Sequence, residues 1–563
     1  MEKTVKQIIL FYSVIVLLKV LLGLFILSPS AYSDEYNYIK LARSFFFDFS
    51  FSIHGILTSV YLPLYPSLLS VSYLFKDMTI IYPMMKVINS IISSLIIIPA
   101  FLLAKEFLND KKSLVIAVLI SITSSNFLFS NYILSENLFY PLFLFTFYFI
   151  YKSLSDNGYK YNLLSGIFLG LSYLTKPLVI GIIFAFLFSY MVLFFSSKKL
   201  NRELIIKKFL LSLFLFLIVI SPWIIRNINL YGFHLKLFFG GYTNEAVSIV
   251  TDFNVINYIV KFFVYLSYLV LASLIIFPLK MINIFNKKYF TFLILFIPLL
   301  ISTLLIVANH GRVVIFFEWF TGRYIGRYVD FLLPLIFIGG FIGADEIKKN
   351  NKFINYLFFF LVVISSLLTL HVLFPINNLL LTWVGVLKYV FEFVFYNKTN
   401  YSVEFLSGSL FFFIILFMFL FFLIIFLEKR FGFKKLIPFI FIFFILLNVL
   451  NYGIIYYDSK TNWYDQEQMQ LGLWLNKYDS DKISKILIDK NSYGVLNKDL
   501  QEGIWGGSEN TPRTIIGYWL NDNIIIEDLS HIQDYDYVIT KSKLNLYLIK
   551  EGINGIYIYQ VKK

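Results

Sequence analysis

Apolar runs of roughly 20 residues recur from Ile8 to about residue 456 of this 563-residue chain, and they leave it little choice of fold. A helix of that length crosses a hydrocarbon layer of about 30 Å, and it satisfies its own backbone groups while doing so. Composition closes the alternative, because a chain that is 59% hydrophobic and only 15% charged carries more apolar surface than a soluble core can cover. No small-residue cleavage site follows Leu27, so the run from Ile8 is read as a retained first helix. The formal charge of +14 is spread over short Lys- and Arg-rich clusters, which in a membrane protein set topology, and no nucleic-acid partner is expected. The absence of cysteine excludes disulfides, thiolate chemistry and Cys-ligated metals.

Setting the runs against the charge clusters predicts an α-helical polytopic protein with about 13 transmembrane helices. The basic clusters, among them Lys3 and Lys6, Lys111 and Lys112, Lys198 and Lys199, Lys287 and Lys288, Lys348 and Lys349, and Lys434 and Lys435, mark the cytoplasmic side. The N-terminus is then cytoplasmic, and a multi-pass plasma-membrane protein is the expectation. Outer loops begin near Ser28, Leu134, Lys176, Arg226, Asn309 and Pro375. The first, from about residue 28 to 82, exceeds a mere connection. Within it Asn37, Lys40, Ser44 and Asp48 recur at helical spacing opposite Ile39, Leu41, Ala42, Phe45 and Phe46, which predicts an interfacial helix. Tyr61–Phe75 is apolar but short and broken by Pro63 and Pro66, so it is read as a juxtamembrane or re-entrant piece. The transmembrane domain covers residues 1–456. Residues 457–563 turn polar, with strand-length runs at Ile486–Asp489, Ile524–Ile526, Tyr537–Ile539 and Ile556–Tyr559 and a helix near Asp465–Asn476, which predicts a small extracytoplasmic α/β domain.

Asp34 and Glu35 follow the first span directly. Two adjacent carboxylates beside lipid are costly unless hydrated, paired or used. One carboxylate can accept an acceptor's proton while an anomeric carbon is attacked and a lipid phosphate departs. The other reading is that Asp34 caps the interfacial helix and Glu35 complements its dipole. Both stand on the residues alone.

Six stretches, in order and spacing, resemble the GT-C superfamily of polyprenyl-phosphate-sugar glycosyltransferases, in particular the protein O-mannosyltransferases and the lipid A aminoarabinose transferases. They are Ser33–Ala42, Tyr61–Pro66, Ser135–Pro141, Gly170–Pro177, Pro222–Asn227 followed by Gly232, and Gly322–Tyr324 ahead of Leu333 and Pro334. The resemblance implies that the first outer loop carries the catalytic carboxylate at Asp34, with Glu35 its acidic partner. It implies a donor sugar on a polyprenyl or dolichyl phosphate, reached from the membrane lipid, and an extracytoplasmic acceptor that is protein, lipid or glycan. The chain lacks the Trp-Trp-Asp motif of the oligosaccharyltransferase branch.

A phosphate leaving group needs compensating cations. Lys176, Arg226 and Arg323 lie inside the family-like stretches; Arg312 and Arg327 lie beside the same outer loop as Arg323. Snorkelling to headgroups is the competing reading for each. Glu136 is expected to orient a hydroxyl or pair with one of these cations. His54 and His310 are the histidines placed near the site. No pair has zinc spacing and no metal or other cofactor is required, although Asp34, Glu35 and a histidine are a conceivable set for a divalent cation. Trp463, Trp474, Trp505 and Trp519 in the tail are read as core packing or as stacking surfaces for a glycan. A transporter or flippase would place charge at mid-membrane within repeats, whereas here Lys19 and Lys86 are the clearest polar intrusions on spans and no repeat is visible. A polysaccharide polymerase or ligase would use Arg and His in a late loop, and Pro375–Gly408 contains neither.

Overall fold

The computed structural model describes residues 2–26, 33–59, 61–233, 255–310, 326–346, 403–461, 466–479, 484–492, 515–553 and 555–561, with fragments at 315–317, 320–321, 360 and 383. Arg312, Arg323, Trp463, Trp505, the cluster at Lys348 and Lys349, and most of the late loop from Pro375 lie outside the described residues.

In chain order the helices are α1 (Glu2–Leu24), α2 (Ser33–Asp48), α3 (Leu64–Leu69), α4 (Met78–Ser94), α5 (Ile97–Lys105), α6 (Asp110–Ile122), α7 (Ser124–Leu128), α8 (Glu136–Ser155), α9 (Lys160–Tyr173), α10 (Ile180–Ser196), α11 (Lys199–Tyr231), α12 (Val255–Ala272), α13 (Ile276–Met281), α14 (Phe290–His310), α15 (Leu333–Asp345), α16 (Val403–Phe431), α17 (Phe433–Thr461), α18 (Gln466–Tyr478) and α19 (Ile515–Tyr518). Strands are β1 (Ser52–Ile53), β2 (Ile56–Leu57), β3 (Ile315–Phe317), β4 (Phe320–Thr321), β5 (Lys485–Asp489), β6 (Asn523–Glu527), β7 (Tyr537–Thr540), β8 (Tyr547–Glu551) and β9 (Tyr557–Gln560). Among the described residues seven helical segments are long and apolar enough to cross a membrane, and nine if two sharply bent pairs each count as one. The chain is a multi-pass membrane protein. The expected count of about 13 is not reached within these residues. Several apolar runs form short or bent helices instead: α6 and α7 meet at 61°, and the break between α12 and α13 bends the chain by 98°.

Two compact units emerge. One comprises residues 1–16, 93–129 and 136–452; the other comprises residues 17–92, 130–135 and 453–563. In the first, small residues let helices approach closely. A Cβ on Gly166 would lie 2.3 Å from the Ser212 carbonyl oxygen and one on Gly170 would lie 2.7 Å from Val219, so α9 and α11 pack with nearly touching backbones. Hydrogen bonds lock that register, with Ser165 and Ser212 hydroxyls 3.0 Å apart and Ser212 donating to the Asn162 carbonyl.

In the second unit α2 forms where the spacing predicts a helix and carries acidic residues in its first turn, but Asn37, Lys40 and Ser44 of its expected polar face are buried within the fold. It leads into the β1–β2 hairpin, whose central residues His54 and Gly55 both have positive φ, +51° and +82°, the signature of a type I′ turn. Tyr61–Phe75 folds as the six-residue α3 and a 3-10 turn, far too short to span a bilayer. The tail forms a five-stranded sheet of order β6-β5-β7-β9-β8, parallel at β6-β5-β7 and antiparallel beyond. Its core joins Ile486, Ile488, Ile524, Ile539 and Ile558 with Leu471 and Leu475 of α18. All four predicted strands form, and so does the helix. Strand β8 was not predicted: its Tyr-Leu-Ile-Lys-Glu sequence runs along an exposed edge and leads straight into charged residues.

Candidate functional site

Three faces of α2 meet three different neighbours within its unit. Residues 34, 37 and 38 turn toward the Tyr61–Tyr65 stretch. The Tyr61 hydroxyl donates to Asp34 Oδ1 at 2.7 Å and accepts from Asn37 Nδ2 at 2.9 Å, while Tyr38 packs edge-on against Tyr61 and Tyr65. Asp34 is half-buried. Glu35 on the next face is 0% exposed, and its Oε1 accepts the Ile133 amide at 2.8 Å. The adjacent carboxylates are thus unlike in kind, one reaching the surface and the other buried on a backbone donor.

The third face carries Tyr36 and Lys40, four residues apart and therefore one above the other. Tyr36 Oη lies 2.8 Å from His54 Nε2, and the Ile524 amide donates to His54 Nδ1 at 3.1 Å. Lys40 donates to the Leu520 carbonyl. Both ring nitrogens of His54, placed near the site from the sequence, are therefore engaged inside the fold. Burial pushes the Lys40 ammonium down to about 7, reinforced by Arg43 and opposed by Asp522. Asp522 is pushed up to about 7 by burial and by the neighbouring Asp479 carboxyl, against the pull of Lys40 and Arg43.

Lys86, one of the two charges intruding on spans, is buried. Its ammonium donates to the Gly23 and Ile26 carbonyls at the end of α1 and sits 4.2 Å from the Tyr82 ring centroid. Last-turn carbonyls have no intrahelical partner, so this lysine caps the helix that leads into α2.

In the other unit the cations gather around Glu136, the first residue of α8 and 2% exposed. Lys176 Nζ lies 2.5 Å from Glu136 Oε1, Arg327 Nε lies 3.4 Å from the same oxygen, and the Lys176 ammonium stands 5.0 Å from the Tyr328 ring centroid. The Tyr140 hydroxyl donates to the Arg327 carbonyl, and Tyr268 donates to Asp330 Oδ1 at 2.7 Å. Two buried cations thus converge on one carboxylate, a geometry that holds charge out of water only through mutual pairing. The expected pairing of Glu136 with a cation is met by Lys176. Arg226 is half-buried, stacks 4.6 Å over Trp223 and donates to Asn227 Oδ1. His310 ends α14, and its side chain lies outside the described residues, as does Arg323.

Tyr61 and Lys86 are the polar groups that sequence reasoning left out of the site, and Arg327 was named beside the outer loop without being favoured. Arg327 had a signal: Gly326–Tyr328 repeats the Gly-Arg-Tyr of Gly322–Tyr324, and only the first copy was credited. Among the described residues no group of three or more carboxylates or imidazoles is placed to hold a metal ion.

Residues 73–225 match the family described as dolichyl-phosphate-mannose-protein mannosyltransferase. No curated protein sequence matches the chain. Among solved structures it is similar to ArnT from Cupriavidus metallidurans bound to undecaprenyl phosphate, with a TM-score of 0.61 and 9% identity over 98% of both chains. The same protein in the apo state gives 0.58 at 10% identity, over 99% of this chain and 98% of that one. The archaeal oligosaccharyltransferase AglB from Archaeoglobus fulgidus gives 0.37 at 12% identity, covering 84% of this chain and 62% of its own. The chain has the GT-C fold. Full-length coverage of ArnT extends the GT-C likeness through the tail, where the family match of residues 73–225 does not reach.

Proposed function

We propose that the protein transfers a sugar from a polyprenyl phosphate to an acceptor on the outer face of the membrane, with Asp34 as general base. The observation that carries this reading is the contrast within the acidic pair. Glu35 is fully buried and accepts from a backbone amide, whereas Asp34 is half-buried and accepts from the Tyr61 phenol. The acceptor hydroxyl gives its proton to the Asp34 carboxylate as its oxygen attacks the anomeric carbon. The bond from that carbon to the phosphate oxygen breaks, its electron pair leaves with the polyprenyl phosphate, and the anomeric configuration inverts. Lys176, Arg327, Arg226 and Arg323 are assigned to the phosphate charge, and Glu136 to holding the first two in place. Glu35 is the partner that fixes the first turn of α2. Two likenesses support the donor class: the family matched by residues 73–225 is described as using dolichyl-phosphate mannose, and the ArnT structure holds undecaprenyl phosphate.

The test uses full-length protein in nanodiscs with a panel of radiolabelled mannosyl, glucosyl and aminoarabinosyl undecaprenyl phosphates and an outer-membrane and envelope-protein extract as acceptor. The wild type should consume one of them. Asp34→Asn should lower transfer by about 10³-fold or more, at equal protein abundance. Undiminished transfer in that variant, or movement of labelled lipid across the bilayer without transfer, would remove the reading.

A further inference from the structure

We infer that the tail domain is a mounting for the catalytic helix, with His54 as the positioning residue that joins the two. The inference rests on the reading of Asp34 as the base, and it concerns one structural unit throughout.

The tail segment 518–524 lies along the face of α2 opposite Tyr61. Its Leu520 carbonyl takes the Lys40 ammonium, its Ile524 amide donates to His54 Nδ1, and His54 Nε2 meets the Tyr36 hydroxyl. Rings continue the contact, with Tyr518 tilted 6.5 Å from Tyr36 and Trp519 edge-on 5.6 Å from Tyr82. A backbone N–H donating to Nδ1 fixes the tautomer: the lone pair is on Nδ1, the proton is on Nε2, and Nε2 donates to Tyr36 Oη. A neutral imidazole is thus the one side chain in this chain of contacts that accepts from the tail while donating to α2.

The strand geometry suits this use. β6 is an edge strand bonded only to β5, so an amide on its outer side has no ladder partner, and His54 supplies one. The hairpin suits it as well. A histidine at φ +51° is strained unless its ring is held, and the neighbouring Gly55 allows the β1–β2 turn to bring that ring against the edge. Tyr36 lies two residues from Asp34, so a shift of the His54 link turns the first two turns of α2 and moves the carboxylate. Misplacement of a reacting group by an ångström costs about a hundredfold in rate.

Four variants of the full chain test this. His54→Gly removes the ring and relieves the backbone, Ile524→Pro removes the tail donor together with a buried core side chain, and Tyr36→Phe removes only the hydroxyl. His54→Asn keeps an acceptor for the Ile524 amide on a side chain that tolerates positive φ. With the donor that wild type consumes, His54→Gly and Ile524→Pro should each lower kcat about tenfold with the donor KM unchanged, and the double variant should be no worse than either. His54→Asn should recover most of the loss caused by His54→Gly. Hydrogen–deuterium exchange needs no substrate: amides of residues 33–48 should exchange about tenfold faster in the first three variants than in wild type. Wild-type kcat and exchange in His54→Gly, or additive losses in the double variant, would overturn the inference. An active Asp34→Asn with faster exchange in the His54→Gly helix would instead sink the assignment of the base and leave the mounting standing.

Discussion

At the scale of single residues, the proposed chemistry turns on how one carboxylate is held. Tyr61 donates to Asp34 while accepting from Asn37, so its phenol is fixed by a residue one helical turn along from the acid it orients. A charge-assisted bond of this kind contributes about 1.5–3 kcal/mol. Tyr61→Phe should therefore lower kcat about tenfold to a hundredfold with little change in donor KM, while preserving the ring contact with Tyr38. Steady-state transfer by the purified variant measures this; an unchanged kcat would mean that the phenol does not orient the base. Asp34 and Glu35 were legible in sequence because two carboxylates beside an apolar run are conspicuous. Their division of labour was not, since it depends on the Ile133 amide, some 98 residues away in sequence. Arg327 was passed over for a different reason: on a helical or loop reading any arginine near the outer surface snorkels equally well, and only the fold brings it onto Glu136.

Among elements, the tail shows how far pattern alone carries. Its buried strands were read correctly because β5, β6, β7 and β9 carry Ile- and Tyr-rich runs bounded by polar turns. β8 escaped because an edge strand buries little and keeps its lysine and glutamate exposed. Nothing in those runs announces that the segment entering β6 also buries Asp522 beside Asp479 and Lys40. Asp522 is raised from its ordinary value to about 7, so between about pH 4 and pH 7 the folded state holds a proton that the unfolded chain has lost. Its contribution to stability is complete below the unfolded value and is lost as pH rises through about 7. Lys40, lowered to about 7, is charged in both states below that pH and adds no slope in this window. Asp522→Asn should thus stabilise the tail at pH 7 relative to pH 5 by on the order of 1 kcal/mol compared with wild type. Thermal unfolding followed by tryptophan fluorescence reads this, and an equal effect at both pH values would show that Asp522 is ionised throughout.

For the whole molecule, the question is which face of the membrane each unit presents. Hydropathy made the membrane class plain, and among the described residues seven to nine segments pass as spans, because α6, α7, α12 and α13 spend apolar sequence on bends and α9 and α15 are too short to pass as spans. The segment that threatened the orientation argument was Tyr61–Phe75, since one extra crossing there inverts every later loop. α3 and the 3-10 turn that continues it run from Leu64 to Leu74 and rise about 19 Å together, well short of a hydrocarbon thickness of about 30 Å, so the segment does not cross. With α1 leaving from Lys3 and Lys6, the positive-inside rule predicts cytoplasmic Lys-rich connections, with Asp34 and the tail facing outward. The complete absence of cysteine makes a direct test clean. A membrane-impermeant maleimide applied to intact bacteria should label Ser530→Cys, whose position in the tail is exposed, and should label Glu203→Cys, exposed near the start of α11, only after permeabilisation. The opposite pattern would put the acidic pair on the cytoplasmic side, where an outward-facing donor sugar could not reach it.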